Sequence, residues 1–586
     1  MSYRAAGDGA SSSSDRCDAG ALRVSQSDAA RWMDARKVRV SALVLLCVQF
    51  AVLGMIQAWS DSLTFDESPD LSIGLTALVH RDLRLVPEHP ALGPTLSALP
   101  ALLAGPDVPR GEAWDHNRSF DYSDELISRQ SERGDLRVVL FLARLVPIAL
   151  GIACGLLLYR LATRLTDWRG GLLAAGLWLT TPIVLGYSHL DGLDIPFTFA
   201  VLLVVAALER HHRSPSVRAT VGVGAALGLA LLARHTGLVL VPIAGGLAVW
   251  HLRHGRAASI RAVAAVLIIP LVLVWGFYRS VDPSGPQGEV AADFHNRIAA
   301  ASASSPLADI VLAVPFPLEY RAGFAQLINA EPDRPAYLFG QVWEGSEWWF
   351  FPGSAIAKVP ATALLAVAAG GLLWRRRDGS SRSRLGWCLA PGVVLGVVLL
   401  VQPLNLGLRY ALPVLALMML LAAPLALARG RLPAVLLGVV IAGQVLSVAA
   451  AGSHSIAWSP PPFGSAYQAV SDGNLDLGQG QRELAAWAKG KDVRFAVIRP
   501  RGMAPLGPEL DPTDPSLRDT WVAVGASALT VYQREALSWL RAYCPVELLA
   551  GGSVLVYRFD GEVDLSSGPD RPAAPCTGLP YSLRSG

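Results

Sequence analysis

Charged side chains are scarce in this chain. Asp, Glu, Lys and Arg make up 17% of its 586 residues, against 52% hydrophobic residues and a mean hydropathy of +0.39, which excludes an ordinary soluble enzyme of this length. Cysteine is scarcer still, with six in all and no spacing that resembles a zinc site, so no metal site is expected from it. The formal net charge of +3 says little by itself, and no nucleic-acid partner is expected. What the chain has in abundance is apolar runs of membrane-crossing length.

The first, Val40 to Trp59, would span a hydrocarbon core of about 30 Å at about 1.5 Å per residue. It follows a Ser-rich head and the basic residues Arg36, Lys37 and Arg39. It is too long and starts too late for a cleaved signal peptide. Further runs near 138–160, 170–188, 195–209, 217–233, 236–252, 261–279, 353–374, 385–403, 410–428 and 432–451 predict about eleven transmembrane helices. Every second connection is rich in Arg, as in Arg160/Arg164/Arg169, Arg210/Arg213/Arg218, Arg253/Arg256/Arg261, the group Arg375 to Arg384, and Arg429/Arg431. The positive-inside rule places these connections and the N-terminus in the cytoplasm.

This pattern predicts a disordered cytoplasmic head over 1–39, a transmembrane domain over 40–451, and a C-terminal extracytoplasmic α/β domain over 452–586. The expected location is the cell membrane, multi-pass. Two outer loops, 61–137 and 280–350, are too long for simple connections. In the first, Leu71, Leu75, Leu78 and Val79 have helical spacing and Pro69 suits a first turn, which predicts a short helix along the membrane surface. In the tail, "VRFAVI", "TWVAVGA" and "SVLVYRF" read as strands, and "GQRELAAWAKG" and "VYQREALSWLRAY" as helices. Cys544 and Cys576 share this outer domain, where a disulfide is permitted and two free thiols are the alternative.

Carboxylates collect at the outer membrane edge. Asp66 and Glu67 follow the first span, and Asp191 and Asp194 in "HLDGLDIP" follow the third. Taken singly, such residues read as solvated loop positions; two segments presenting them on one side point to a site. Cations gather on the same side: Arg234 with His235, Lys358, and Arg409 with Tyr410. Each could snorkel to the interface, yet several of them run against the positive-inside trend, and such cations suit an anionic lipid head group. Trp343, Trp348, Trp349, Phe350 and Phe351 precede a span, as an interfacial aromatic belt does; the rival reading is a platform for sugar or lipid.

The run "FDESPDLSIG" with "PEHPALGPTLSALP" resembles the first outer loop of the polyprenyl-phosphate-dependent glycosyltransferases of GT-C fold, in the protein O-mannosyltransferase and aminoarabinose transferase superfamily (glycosyltransferase family 39-like). The likeness continues through "GLALLARHTGL", "VPFPLEYRAG", "YLFGQVWEGSEWWFFPGSAIAKVP", "NLGLRYALP" and "GNLDLGQGQRELAAWA", and covers nearly all of the chain from about residue 40. Three positions depart from the family pattern. Pro94 stands where a Lys is frequent, which leaves His89 or Arg84 to supply a phosphate contact; Asp70 stands where an aromatic or His is common; Leu477 replaces a Trp.

The resemblance implies an inverting sugar transfer from a polyprenyl-phosphate donor to an acceptor hydroxyl outside the membrane. Asp66 would be the base, with Glu67 and Asp194 assisting; Arg234, Lys358, Arg409, Tyr410 and His89 would serve the donor phosphate, and Trp348, Trp349 and Tyr337 the substrate. The partners implied are the lipid bilayer, a polyprenyl-phosphate-linked sugar and an acceptor protein, glycolipid or polysaccharide. No cofactor is required by this chemistry, although the carboxylates could coordinate a divalent cation instead. The alternatives are a transporter or flippase of a lipid-linked sugar, whose ionisable residues should lie mid-span, and a catalytically inactive membrane scaffold.

Overall fold

The computed structural model describes residues 26–563 apart from 86–87, 253–254, 305, 330–333, 464–465, 515–516, 518–519 and 560–562. Cys17 and Cys576 lie outside the described residues. The contacts divide the chain into a unit up to Leu45 and a second from Leu46 to Gly586. The helix Gln26–Ser60 is already running at Gln26, so 26–39, expected within a disordered head, is helical. Its Ala, Arg, Met and Lys content favours that state.

Among the described residues seven helices are long and apolar enough to cross a membrane, and two bent pairs raise the number to nine. The sequence pattern predicts about eleven, and the difference lies in one region. There 217–233 forms a helix of 17 residues, about 25 Å long, and 236–252 is broken into a 3-10 segment, His235–Leu240, and a short helix, Ile243–Leu252.

Both bent pairs have local causes. Trp168–Leu179 gives way to Pro182–Ser188 at an angle of 64°, where Thr180 and Thr181 turn their hydroxyls back onto the carbonyls of Gly176 and Leu177 and Pro182 starts the second limb. Phe350–Lys358 meets Ala361–Trp374 at 116°. Here Pro360 forces Val359 into extended backbone (φ −96°, ψ 135°), which ends the first limb.

The long loop 61–137 is largely helical. Glu67–Val79 packs against Leu92–Ala101 and Ser119–Arg133. The short helix expected there forms as Glu67–Val79, and it is buried within the protein at nine of its positions, Leu71 and Leu75 completely. Its approach to Leu92–Ala101 is close enough that a Cβ on Gly74 would stand 2.1 Å from the carbonyl oxygen of Pro94. In the second long loop, 280–350, a hairpin of β1 (Pro335–Leu338) and β2 (Gln341–Glu344) precedes the limb Phe350–Lys358.

The tail carries a four-stranded sheet. β3 (Val493–Ala496) runs parallel to β4 (Thr520–Gly525); β4 pairs antiparallel with β6 (Val554–Phe559), which in turn pairs with β5 (Glu547–Leu549). The helix Gln481–Ala488 forms as its pattern predicts. The segment 531–543 does not become an α-helix. It is a π turn, Ala528–Tyr532, followed by turns and a 3-10 stretch, Ser538–Ala542. Besides Val531, its buried residues are the four consecutive positions Leu537 to Leu540, which do not follow the i, i+3, i+4 spacing of an amphipathic α-helix. Cys544 is disulfide-bonded, and Cys47, Cys154 and Cys388 are free.

The stretch "GNLDLGQ" stitches this tail to the membrane-edge loops. Phe65 N donates to the Leu477 carbonyl (3.0 Å), Ser62 N to the Gln479 carbonyl (2.9 Å), and Leu408 N to Asn474 Oδ1 (2.7 Å).

Candidate active site

The acidic edge of the first span becomes the wall of a narrow cleft, lined among others by Thr64, Asp66, Tyr187, Asp191, Asp194, Arg409 and Leu477. Asp66 is the N-cap residue of Glu67–Val79, but its side chain makes no capping bond. It forms an ion pair with Arg409 instead. Arg409 stands on a 3-10 turn opened by Gly407, whose φ of +110° and close packing on Gly473 suit only glycine. Asp194 starts the helix Asp194–Arg213 and accepts from Arg234 Nη1 at 2.7 Å. Tyr410 joins the two pairs, with its ring 4.1 Å from the Arg234 guanidinium carbon and 5.4 Å from that of Arg409. Four separate membrane-edge segments thus bring two carboxylates and two guanidiniums to one place.

Glu67 is spent differently. Its carboxylate is buried and accepts from Arg144 Nε (2.8 Å), Arg144 Nη2 (2.7 Å), Thr64 N (2.9 Å), Thr64 Oγ1 (2.9 Å) and Asp191 N (2.8 Å). Arg144, fully buried in the span Leu136–Leu165, also donates to the carbonyls of Ala58, Asp61 and Ser62. Burial alone would raise the Glu67 pKa; the charge and hydrogen bonds of Arg144 outweigh it and hold it below the ordinary carboxylate range. A group so fully occupied cannot take a proton from a substrate, but it fixes the turn that carries Asp66 and the turn that carries Asp191. Sequence reasoning passed over Arg144. The available signal was an arginine two turns inside an apolar span.

Asp191 is the other carboxylate that gains weight. Burial pushes its pKa up to about 7, with the Glu67 charge adding to the effect and Ser97 and Arg144 opposing it. Its Oδ2 is buried without a hydrogen-bond partner. Asp70, half-buried on the same helix as Glu67, is held well above its ordinary pKa by burial and then by the charges of Asp191, Asp66, Asp194 and Glu88. Among the described residues no group of three or more His, Cys, Asp or Glu side chains could hold a metal ion.

Around the arginines lie further polar atoms that are buried and unpartnered: Arg234 Nε, Arg409 Nε, Tyr187 Oη, His89 Nδ1 and both ring nitrogens of His235. The His89 ring lies 6.3 Å from that of His235. Burial, reinforced by the charges of Arg234, His235 and Arg409, keeps His89 well below its ordinary pKa and so neutral. Buried polar atoms without partners are costly, and a polar ligand or water entering here would satisfy them.

The remaining candidates lie elsewhere. Lys358 is fully buried and donates to the carbonyls of Ile456 (2.7 Å) and Trp458, so it braces the linker that follows the last span. Arg84 pairs with Asp82 and stacks on Trp114. Trp348 is exposed, Trp349 packs on Trp343, and Tyr337 on β1 donates to the Gln468 carbonyl; none of the three lines the cleft.

A family model described as dolichyl-phosphate-mannose-protein mannosyltransferase matches residues 137–277. No curated protein matches the sequence. Among solved structures, the protein O-mannosyltransferase Pmt1-Pmt2 complex of S. cerevisiae, bound to the sugar donor, is 19% identical at a TM-score of 0.32; the match covers 44% of this chain and 36% of that one. ArnT from Cupriavidus metallidurans bound to undecaprenyl phosphate is 12% identical, with a TM-score of 0.45 and coverage of 88% and 97%. The oligosaccharyltransferase AglB of Archaeoglobus fulgidus, in complex with an inhibitory peptide and a dolichol-phosphate, is 12% identical, with a TM-score of 0.45 and coverage of 91% and 75%. Over 137–277, the stretch that holds Arg144, Asp191, Asp194 and Arg234, the chain is therefore similar to the dolichyl-phosphate-mannose-protein mannosyltransferases.

Proposed function

We propose that this chain is a membrane glycosyltransferase that moves a sugar from a polyprenyl-phosphate donor to an acceptor hydroxyl on the extracytoplasmic side, with its N-terminus in the cytoplasm. The observation that carries the reading is the cleft itself, where Asp66 faces Arg409 and Asp194 faces Arg234 at the ends of apolar helices. The partial match to the mannosyltransferase family model supports it.

In this reading the donor's lipid tail stays in the bilayer and its phosphate comes to Arg409 and Arg234, whose planar guanidiniums suit phosphate oxygens. Lys358 is left out of that set because its hydrogen bonds go to backbone carbonyls. As the phosphate engages Arg409, it loosens the ion pair that occupies Asp66 and frees that carboxylate to act as base. The acceptor O–H proton passes to Asp66, the acceptor oxygen bonds to the anomeric carbon, and the bond from that carbon to the phosphate oxygen breaks. The electron pair stays on the phosphate, where the two arginines stabilise the developing charge. A single displacement of this kind inverts the anomeric centre. The cations are already in place, so no metal is required, and transfer should persist in a chelator.

Asp66→Asn should abolish transfer of a radiolabelled sugar from a polyprenyl-phosphate donor in proteoliposomes while leaving the protein folded. Arg409→Ala should weaken donor binding by at least tenfold and acceptor binding little. Full transfer by the Asp66→Asn protein would remove Asp66 from the base role, and equal losses of donor and acceptor affinity in Arg409→Ala would remove Arg409 from the phosphate site.

A further inference from the structure

An open cavity of about 540 Å³ lies between the helix Ser119–Arg133 of the loop 61–137 and the tail segment 499–504, and Phe65 forms part of its wall. Its size is within the range that encloses a small organic ligand. The tail segment is fastened to the loop by side chains. Arg501 pairs with Asp124 at 3.3 Å and stacks on the Phe120 ring at 4.6 Å, Ser128 Oγ donates to the Gly502 carbonyl at 3.1 Å, and Ser68 Oγ donates to the Arg501 carbonyl at 3.4 Å. Gly502 has a φ of +75°, and a Cβ there would stand 2.6 Å from that of Ile127, so only glycine lets the two chains come this close. The cavity is therefore preformed.

It also borders the cleft. Phe65 lines the cavity while its chain neighbours Thr64 and Asp66 line the cleft, so a single turn separates the two spaces. That turn is fixed by the bond from Phe65 N to the Leu477 carbonyl, and the Phe65 ring is 41% exposed. The ionisable side chains that line the cavity are Asp124, Glu132, Arg499 and Arg501. Two acids stand against two bases, and the lining as a whole calls for no charge on a ligand. What it offers is a flat apolar ring, the hydroxyls of Ser128 and Ser131, carboxylates that accept and guanidiniums that donate. This set fits a neutral saccharide, whose C–H face lies on an aromatic ring and whose adjacent hydroxyls meet planar, two-pronged groups. A peptide finds less to hold. The walls are a helix, whose backbone groups bond to one another, and a segment without a strand, so they present no sheet edge to extend.

We propose that this cavity binds a neutral saccharide, with one sugar face on Phe65, and that this saccharide is the acceptor whose hydroxyl reaches Asp66. The acceptor role rests on the glycosyltransferase reading above; the saccharide site does not.

The test uses the full chain in lipid nanodiscs, with maltohexaose and cellohexaose as neutral probes, hexagalacturonate as an acidic one and a serine-rich octapeptide as the rival, each titrated calorimetrically. At least one neutral hexasaccharide should bind more tightly than hexagalacturonate and the peptide. Phe65→Ala should lose about tenfold in that affinity, and Phe65→Trp should retain it. Ser131→Trp, at an exposed position on the cavity wall, fills the space and should lose at least as much, while undecaprenyl phosphate should bind all four proteins alike. Binding of neither neutral hexasaccharide, equal or tighter binding of the peptide or of hexagalacturonate, or undiminished saccharide binding to folded Phe65→Ala and Ser131→Trp proteins would overturn the proposal. Saccharide binding at Phe65 with transfer of the donor sugar to the peptide alone would overturn the acceptor role and uphold the site. Transfer to no acceptor at all would overturn the glycosyltransferase reading, and the acceptor role with it, and would likewise uphold the saccharide site.

Discussion

Glu67→Gln separates a residue that does chemistry from one that holds chemistry in place. The glutamate accepts five hydrogen bonds, shared between its two oxygens: Arg144 Nε and Asp191 N on Oε1, and Arg144 Nη2, Thr64 N and Thr64 Oγ1 on Oε2. Either orientation of the replacement amide turns an N–H₂ group toward at least two donors. It also leaves the fully buried Arg144 charge without its counter-ion. Removing one partner of a buried pair costs roughly 3–5 kcal/mol, so the variant should unfold at a Tm lower by several degrees in detergent. Transfer should fall with it, because the turns carrying Asp66 and Asp191 lose their common anchor, while donor binding at Arg409 is retained. Removing both charges, as in Glu67→Leu with Arg144→Met, should recover much of the stability. The pH dependence provides a second readout. The pKa of Glu67 is lowered in the fold, so its stabilisation is present above the ordinary value of 4.5 and is lost as the pH falls through the folded-state value. Wild type should therefore carry an acid-unfolding component that Glu67→Gln lacks. A Glu67→Gln protein with wild-type Tm and no transfer would refute this reasoning and return Glu67 to the chemistry.

Two further predictions concern the same neighbourhood. Asp191, with a pKa pushed up to about 7, should impose an inflection near that pH on the transfer rate; the raised value also means that it costs stability progressively from about pH 3.8 to about 7. Asp191→Asn should remove both features, and an unchanged pH–rate profile would take Asp191 out of the reaction. Gly74→Ala should destabilise the loop 61–137 by about 1–3 kcal/mol, since its Cβ would meet the Pro94 carbonyl at 2.1 Å, whereas Gly222→Ala, with nothing within 4 Å, should be neutral or stabilising; comparing the two melting curves checks the packing.

What could be read from the sequence follows the range of the forces involved. Apolar runs report burial in lipid residue by residue, so most spans were legible, and so were the strands "TWVAVGA" and "SVLVYRF" that pair as β4 and β6. The failures lie where a local pattern was overruled by distant partners. "VYQREALSWLRAY" has helical composition, yet its residues line a cavity on one side and reach Asp472 on the other, and they adopt whatever backbone those contacts require. The site shows the same division. Sidedness brought Asp66, Asp194, Arg234 and Arg409 to one membrane edge, and the fold joins them as two ion pairs. Sidedness could not show that the neighbouring Glu67 is consumed by Arg144, 77 positions away, or that Lys358 holds a linker about a hundred positions downstream. A buried charge must be neutralised or hydrogen-bonded wherever a partner can be found. In this chain the partner's position is set by helix packing, and so the division of labour among adjacent residues such as Asp66 and Glu67 emerges only once the spans are assembled.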